Sequence, residues 1–225
     1  MLSDNAVMYM ILGRQGGELL KNDNETRSKL LASAAEEFME KGYMQASLRN
    51  ICKKVGVTTG ALYFFFQDKE DLFSKLVEEP LQQLLNVMKQ HYAEEQEEFK
   101  KEVIQIDGVD DLKAARQVIH IMYQHKEAFI LLLTKAQGSR FENVVDQFVE
   151  VTEQQYRILV QASAKRTGKK PVDDYVIHWM AHMNIEVFIH ILTHEIPEEK
   201  ALENIAIIVN YLIQGYIHGF QVTME

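Results

Sequence analysis

The sequence predicts an all-α protein in which a small N-terminal helical domain is followed by a larger helical one. Apolar residues recur at spacings of three and four along most of the chain, and no segment alternates apolar and polar residues as a half-buried strand does. Only three prolines and eleven glycines interrupt the 225 residues, which is few for a β-rich chain with many turns. Hydrophobic residues make up 47% of the chain, enough for a packed core.

Four helices are predicted in the first part of the chain. The first is amphipathic and stops at Gly42, because glycine commonly ends helices. Ser47 and Thr58 are placed to cap the second and third helices. Asp68, with Asp71 three residues later, opens the fourth as a variant of the capping box. The predicted ranges are about 25–41, 47–55, 58–65 and 68–98.

Five further helices are predicted after a loop at 105–111. Ser139 and Glu142 form a capping-box pattern at the start of the third of these helices. Gly168 and Pro197 mark breaks before the last two. The predicted ranges are about 111–124, 126–136, 140–167, 172–194 and 198–222.

The pattern of helices divides the chain into three parts. Residues 1–24 carry no sustained helical period and contain three glycines, so a loosely ordered tail is expected there. A small domain is predicted over 25–70 and a larger one over 71–225.

The net charge of −9 is unevenly distributed. Residues 25–75 contain eight Lys/Arg and seven Asp/Glu, whereas residues 76–225 contain 14 and 23. The acidic excess therefore lies in the C-terminal two thirds, which leaves the N-terminal part able to approach phosphates. This asymmetry permits binding to nucleic acid without by itself indicating it.

The composition also narrows the cellular setting. A single cysteine excludes a disulfide framework within the chain and fits a reduced, cytoplasmic location. The longest clean apolar run, 128–133, is far shorter than the ~20 residues that span a bilayer, so no membrane association is predicted. The N-terminal apolar patch lacks a basic start, so we do not predict a signal peptide.

Residues 47–66 carry the pattern of a helix-turn-helix motif. Cys52 supplies the small residue needed where the two helices cross, and Gly56 supplies the tight turn between them. The apolar anchors on both sides of the turn are Ile51, Val57 and Leu62. In such motifs the second helix enters the major groove of DNA. Cys52 is expected to be a buried spacer, since a buried thiol is inert.

The stretch from Glu25 to Glu78 resembles the DNA-binding domain of the TetR family. The matching segments are Glu25-Thr26-Arg27, Gly42-Tyr43, Ser47-Leu48, Gly56-Val57-Thr58-Thr59-Gly60-Ala61-Leu62-Tyr63 and Phe66-Gln67-Asp68-Lys69-Glu70-Asp71-Leu72-Phe73. This combined pattern is highly specific, whereas the rest of the chain matches the family only in helix number and length. The resemblance implies a transcriptional regulator, usually a repressor, that binds a palindromic operator in double-stranded DNA as a homodimer. It also implies that a small-molecule effector bound in the C-terminal domain releases the DNA.

Individual residues acquire roles from the same resemblance. The residues at phosphate-contact positions are Arg27, Ser47, Tyr63 and Lys69, whose donors would set the register on the duplex without reading bases. Thr58 is placed to cap the third helix and to meet a phosphate, because helix N-termini attract anions. The residues at base-contact positions are Thr59, Gly60 and Phe64. Because Gly60 has no side chain, it lets the backbone of the third helix come close to the DNA. Phe64 departs from the polar or basic residues common in the family, which leaves it only apolar contacts such as a thymine methyl group.

The larger domain is expected to hold a ligand pocket and to form the dimer through its last two helices. Aromatic and Met-rich linings suit flat, apolar ligands. The pocket candidates are Met88, Tyr92, His120, Tyr123, Phe148, Thr152, Tyr156, Trp179, Met183 and Glu186. The dimer-interface candidates are Val187, Ile191, Ile205, Val209, Leu212, Tyr216 and Gly219. For both sets of candidates an alternative remains open: these side chains would instead face the core of their own domain.

One helix carries a polar row at steps of four, formed by His178, His182, Glu186, His190 and His194. Adjacent pairs lie on one helical face, where they would be able to bind a metal or respond to pH. Each step of four drifts by ~40°, so the five side chains do not converge from one helix. We therefore predict no metal and no cofactor.

Three other functions stand as alternatives. A metal or pH sensor would use the histidine row, and sensitivity to chelators would reveal it. An interaction protein that has lost DNA binding is compatible with the weak positive charge of residues 25–75 and with Phe64. An enzyme is not indicated, because the sequence contains no Walker loop, nucleophile elbow, paired-cysteine metal motif or dinucleotide fingerprint.

Overall fold

The computed structural model describes residues 4–98, 100, 108–194 and 196–219, with side chains described from 23 to 215 within these ranges. This part of the chain forms nine α-helices and contains no strand, which confirms the all-α class. The helices are α1 (Asp4–Gln45), α2 (Leu48–Val55), α3 (Thr59–Phe65), α4 (Lys69–Glu98), α5 (Val109–Gln124), α6 (Lys126–Thr134), α7 (Val144–Thr167), α8 (Asp174–Thr193) and α9 (Glu198–Gly219).

Helix α1 is longer than the sequence predicts. It begins at Asp4, within the segment for which we expected a loose tail. The three glycines of that segment each cost a helix about 1 kcal/mol relative to alanine, which weakens the helix without forbidding helical geometry. At the other end, Gly42 has φ 72° and ψ 163°, so this residue interrupts α1 where the sequence predicts a stop.

The start of α4 follows the capping pattern in the sequence. The backbone N–H of Asp71 donates to Asp68 Oδ1 at 2.7 Å, and the N–H of Gln67 donates to Asp71 Oδ2 at 3.0 Å. These reciprocal bonds satisfy N–H groups that lack a partner within the helix. The helix then continues through Pro80 to Glu98.

The start of α7 differs from the prediction, because the helix begins at Val144 rather than near residue 140. Ser139 Oγ accepts from the N–H of Phe141 at 3.1 Å, and Glu142 Oε2 accepts from the N–H of Gly138 at 2.9 Å. Both bonds stabilise a turn that precedes the helix. The capping-box prediction is therefore wrong at this position.

The chain divides into two compact units, with the division between Leu76 and Val77. In the first unit α1 packs against α2, and α2 against α3. An aromatic cluster fills the core, where the Phe38 and Phe73 rings meet edge to face at 5.0 Å and the Tyr43 and Phe73 rings at 5.2 Å. Such pairs add about 1 kcal/mol beyond the area they bury.

In the second unit α7 packs against α8, and α5 against α9. One cluster of its core consists of Ala115, Ile119, Ile191, Ala201 and Ile205. No helix in the described part of the chain combines the length and apolar character needed to cross a bilayer.

Candidate functional site

The α2–α3 connection has the geometry of a helix-turn-helix. Gly56 adopts the left-handed conformation, with φ 77° and ψ 27°, which a side chain would strain. On either side of this turn Ile51, Cys52 and Leu62 are buried. Thr58 Oγ1 accepts from the N–H of Ala61 at 3.2 Å, so the predicted cap of α3 is present. Burial raises the pKa of the Cys52 thiol, which agrees with a spacer rather than a reactive group.

The start of α2 is held differently from the prediction. Ser47 occupies the N-cap position, but its side chain makes no capping hydrogen bond. Instead, Glu37 Oε1 on α1 accepts from the backbone N–H of Ser47 and from Asn50 Nδ2, both at 3.2 Å. Glu37 is only 3% exposed, so this contact fixes α2 to α1. The signal for it in the sequence is an acidic residue inside the apolar stripe of α1.

Lys69 lies at the start of α4 and bonds back to the end of α1. Its ammonium group donates to the carbonyl oxygens of Tyr43, Met44 and Ala46 at 2.8, 3.2 and 3.5 Å. Burial lowers the pKa of Lys69, and nearby Glu70 opposes this shift. An ammonium group has three donors, so a phosphate contact would require Lys69 to release one of these carbonyls.

The outer face of α3 exposes residues that a protein would ordinarily bury. Phe64 is 75% exposed and Tyr63 is 55% exposed. The Phe64 ring meets the Phe65 ring edge to face at 5.0 Å. Gly60 is also exposed, and a Cβ added to it would meet only Thr58 Oγ1, at an ordinary 3.7 Å. The fold of this unit therefore does not require glycine at position 60.

Three of the four other predicted DNA contacts are less exposed. The Arg27 guanidinium lies 5.5 Å from the centre of the Phe66 ring, within the range of a cation–π contact. The side chains of Arg27, Ser47 and Thr59 are half-buried, whereas Thr58 is exposed.

The second unit contains a largely apolar cavity of about 230 Å³. It lies among α4, α5, α6, α7, α8 and α9. Four of the predicted pocket residues line it, namely Met88, Tyr92, Phe148 and Tyr156. Both tyrosine hydroxyls have protein partners: Tyr92 pairs with Thr152 Oγ1 at 2.9 Å, and Tyr156 accepts from Asn184 Nδ2 at 2.7 Å.

One end of this cavity carries ionisable side chains that the sequence did not single out. His91 Nε2 lies 3.3 Å from Asp111 Oδ1, and Glu95 Oε2 accepts from Gln155 Nε2 at 2.8 Å. Burial raises the pKa of Glu95, and Asp111 adds to this shift, while the bond from Gln155 and the charge of His91 oppose it. Burial alone would lower the pKa of His91, but its hydrogen bond with Asp111 and the surrounding carboxylates raise it.

The other predicted pocket residues do not line this cavity. His120 is exposed, with its Nδ1 2.9 Å from Glu198 Oε1, and Tyr123 donates to the carbonyl oxygen of Ile196. Trp179 and Glu186 are exposed and Met183 is half-buried. An aromatic residue on an amphipathic helix has the same spacing whether it lines a cavity, packs in a core or lies at the surface, so the sequence could not separate these residues from the four that line the cavity.

The predicted dimer stripe mostly faces the core of its own unit. Ile191 and Ile205 are 4% and 1% exposed, and Val187 and Val209 pack against the same cluster. Leu212 lines the cavity, the side chain of Tyr216 lies outside the described ones, and Gly219 is described only as the last residue of α9. The large apolar side chains that α8 and α9 do expose, at 39% or more, are Tyr175, Val176, Trp179, Ile207 and Tyr211.

The histidine row separates into two pairs. The rings of His178 and His182 lie 4.5 Å apart, and those of His190 and His194 lie 4.6 Å apart. His178 Nδ1 also lies 2.8 Å from Glu153 Oε2. Among the described side chains, no three His, Cys, Asp or Glu residues are grouped as a metal site requires.

Comparison with known proteins identifies the N-terminal unit. The family model for bacterial regulatory proteins of the tetR family matches residues 30–76. The chain is 43% identical over 53 residues to the HTH-type transcriptional repressor BepR of Brucella suis, which covers 24% of the chain and 25% of BepR. It is 46% identical over 54 residues to the HTH-type transcriptional regulator AcrR of Shigella flexneri, with the same two coverages. The chain thus matches about a quarter of the length of these curated relatives.

Solved structures extend the likeness in fold to most of the chain. A TetR-like transcriptional regulator from Rhodococcus sp. RHA1 has a TM-score of 0.55 and 14% identity, covering 86% of this chain and 96% of that one. The TetR family regulator PfmR from Thermus thermophilus has a TM-score of 0.52 and 18% identity, covering 83% and 97%. At these identities the likeness shows the fold alone. Residues 30–76 thus match the tetR family of bacterial regulatory proteins, and most of the chain shares its all-helical fold with solved TetR-like regulators.

Proposed function

We propose that this protein is a cytoplasmic, ligand-responsive transcriptional repressor. It binds a palindromic operator as a homodimer through α2 and α3 and leaves the DNA when a small molecule fills the cavity of the second unit. The observation that carries this proposal is the outer face of α3, where Gly60, Tyr63 and Phe64 are exposed without a structural need.

The α3 surface supports contact with a DNA groove. A helix that approaches base edges needs room for its backbone, and Gly60 supplies that room. Phe64 offers an apolar surface for a thymine methyl group, while Tyr63 and Thr58 offer hydroxyl donors to phosphates. Thr59 adds a polar group for a base edge, and Arg27 and Ser47 complete the set of phosphate donors.

Lys69 has a different part in this proposal. Its ammonium group already bonds the carbonyl oxygens of Tyr43, Met44 and Ala46. We assign it to holding the end of α1 against the start of α4, which positions the helices between them. A direct bond from Lys69 to phosphate would add to this role only after one carbonyl is released.

Dimerisation would present two recognition helices to two half-sites. A two-fold interface uses the same patch on both protomers, and operator half-sites lie one helical turn of DNA apart. Ile207 and Tyr211 follow each other by four residues on α9 and are 71% and 74% exposed. We assign these side chains to the interface, since exposed large apolar groups at helical spacing are suited to pairing with a second copy.

Release of DNA requires that ligand binding in the cavity and DNA binding at α2 and α3 favour different conformational states of the protein. A ligand that binds one state more tightly shifts the population towards that state. The factor by which the ligand lowers the affinity for DNA must equal the factor by which DNA lowers the affinity for the ligand. Helix α4 contributes Met88 and Tyr92 to the cavity and begins beside the helix-turn-helix at Lys69. It is the element through which we expect the coupling to pass.

The test is fluorescence anisotropy with DNA from directly upstream of the gene, measured across a salt series and combined with footprinting. We expect a protected palindrome and an affinity that falls steeply with salt, by a slope of about −0.9 per phosphate neutralised. A parallel titration with randomised DNA separates a distant operator from absent DNA binding. Absence of salt-dependent binding to either DNA, from a preparation that is folded and dimeric, would overturn the proposal.

A further inference from the structure

We propose that the cavity of the second unit takes a small apolar molecule carrying one positively charged group, which binds at the end formed by His91, Glu95 and Asp111. This inference rests on the proposed function, in which the same cavity is the effector site. It adds the chemical class of the effector, which neither the family resemblance nor the candidate residues specify.

The size of the cavity limits the apolar part of the ligand. A buried cavity of about 150 Å³ lined by aliphatic and aromatic side chains holds a benzene molecule. The cavity here is about 230 Å³, so it has room for roughly one and a half times as many non-hydrogen atoms as benzene has. A straight or lightly branched chain of about eight carbons, or one ring with a short arm, fits that volume.

The lining of the cavity determines the preferred charge. Among the described residues that line it, there is no lysine and no arginine. The ionisable groups other than tyrosine are His91 and Glu95 on α4 and Asp111 on α5. A bound carboxylate would face two acidic groups and only one basic one, whereas a bound ammonium group would face a net acidic site.

Glu95 is the group that most needs such a partner. Its hydrogen-bond donor is Gln155 Nε2, a neutral amide at 2.8 Å, and Gln155 is itself 2% exposed. Gln155 is held in place because its Oε1 accepts from Gln96 Nε2 at 2.7 Å. Burial disfavours the charged form of Glu95 and raises its pKa. A ligand cation would supply the favourable pairing that a half-buried carboxylate lacks here.

The proton on His91 competes with the ligand for the same negative charge. The charged groups around it are Glu94 and Glu95 on α4 and Asp111 on α5. The other elements that line the cavity contribute neutral polar groups at most, such as Tyr156 and Asn184, and α9 contributes only apolar ones. Binding of a cation should therefore tighten as pH rises through the raised pKa of His91, because the bound proton is lost.

The experiment uses three amphiphiles that share an eight-carbon chain: octylammonium, octanol and octanoate. Each is titrated into the full-length protein by isothermal calorimetry near neutral pH. We expect octylammonium to bind about tenfold more tightly than octanol, and octanoate to bind most weakly. Glu95→Gln and Asp111→Asn should each reduce the octylammonium affinity about tenfold and leave the octanol affinity unchanged.

Matched controls are exposed acids near the two cavity carboxylates: Glu97→Gln, two residues after Glu95 on α4, and Asp110→Asn beside Asp111. Both should retain octylammonium binding within about twofold. Tighter binding of octanoate than of octylammonium, equal effects of the cavity and control substitutions, or no binding of any of the three would each overturn this ligand class. Operator binding by the same preparations is measured in parallel, so that failure of the ligand class is distinguished from failure of the regulator proposal.

Discussion

The ammonium group of Lys69 lies 2.8 Å from the carbonyl oxygen of Tyr43 and 4.6 Å from the centre of the same residue's ring. The last carbonyls of a helix have no partner within it, and a cation there also meets the negative end of the helix dipole. Tyr43 makes a second contact with α4, since its hydroxyl donates to Glu70 Oε2 at 2.9 Å. Two consecutive residues of α4 thus hold the end of α1.

Replacing Lys69 by methionine should destabilise the first unit by about 2 kcal/mol, because three carbonyl oxygens, two of them in part-buried contacts, lose charge-assisted hydrogen bonds. Urea unfolding monitored by circular dichroism measures this loss. Lys75→Met is the control on the same helix, since Lys75 is exposed and makes only a surface ion pair with Asp71 at 3.7 Å. Equal stabilities of the two variants would contradict the positioning role of Lys69.

Replacing Gly60 by alanine should change stability and DNA affinity in opposite directions. A Cβ at this position meets nothing closer than 3.7 Å, so the variant should gain about 0.5–1 kcal/mol from the higher helix propensity of alanine. The same methyl group should weaken operator binding about tenfold if the backbone of α3 lies against the groove. Thermal unfolding and anisotropy titrations on one preparation separate the two effects, and unchanged operator affinity would remove Gly60 from the DNA interface.

Phe64 should influence which sequences are bound rather than how strongly phosphates are held. Its ring is 75% exposed, so Phe64→Ala should leave the unfolding free energy nearly unchanged. We expect about a tenfold loss of operator affinity with an unaltered salt slope, and relaxed preference at one A·T pair in each half-site. Met44→Ala, at a residue 63% exposed on the same unit, is the control. A reduced salt slope for the Phe64 variant would indicate a backbone contact instead.

Helices α2 and α3 and the start of α4 could be predicted closely because local rules determine them, whereas α1 begins well before its predicted start. Thr58 bonds the N–H of Ala61, Asp68 and Asp71 close the start of α4, and Gly56 turns the chain, each as its residue type favours. What the sequence did not reveal is the tertiary partner. At the start of α2 the buried carboxylate of Glu37, ten residues away in the sequence, accepts from the N–H of Ser47 itself, while the Ser47 hydroxyl makes no capping bond.

The second unit was harder to predict because several environments share one spacing. Ile205 and Ile207 are two residues apart on α9, yet the first is 1% and the second 71% exposed. The amphipathic pattern marks a stripe without saying whether it meets the core of its own unit or another protomer. His91 and Glu95 likewise have the spacing of an ordinary polar pair, and the sequence alone does not indicate that both line the cavity.

Replacing Ile207 by glutamate should convert the proposed dimer to monomers. A charge placed at the centre of an apolar contact between two copies costs several kcal/mol for the pair, because it is introduced twice by symmetry. Sedimentation velocity over a range of protein concentrations measures the shift. Ile158→Glu is the matched control, since Ile158 is 46% exposed on α7. Dissociation in both variants or in neither would place the interface elsewhere.

The last prediction concerns the pH dependence of stability. Glu95 has its pKa raised above its ordinary value of 4.5 by burial, so the folded state holds a proton that the unfolded state releases. Folding stability therefore falls as pH rises from 4.5 through the raised pKa, and above that range the full penalty remains. Glu95→Gln removes this penalty while keeping an oxygen that accepts from Gln155, so it should stabilise the protein by about 1 kcal/mol at neutral pH.

For a chain of this size, that gain corresponds to a rise of about 3 °C in Tm. The gain should shrink as pH is lowered through the same range, because protonation neutralises the wild-type carboxyl. The raised pKa of His91 acts in the same direction at pH values where His91 is protonated and Glu95 is still ionised, since the attraction between the two charges stabilises the wild type and is lost in the variant. Differential scanning calorimetry of the two proteins at several pH values tests this. A gain that is constant with pH would show that folding does not raise the pKa of Glu95, and Glu97→Gln provides the exposed control on the same helix.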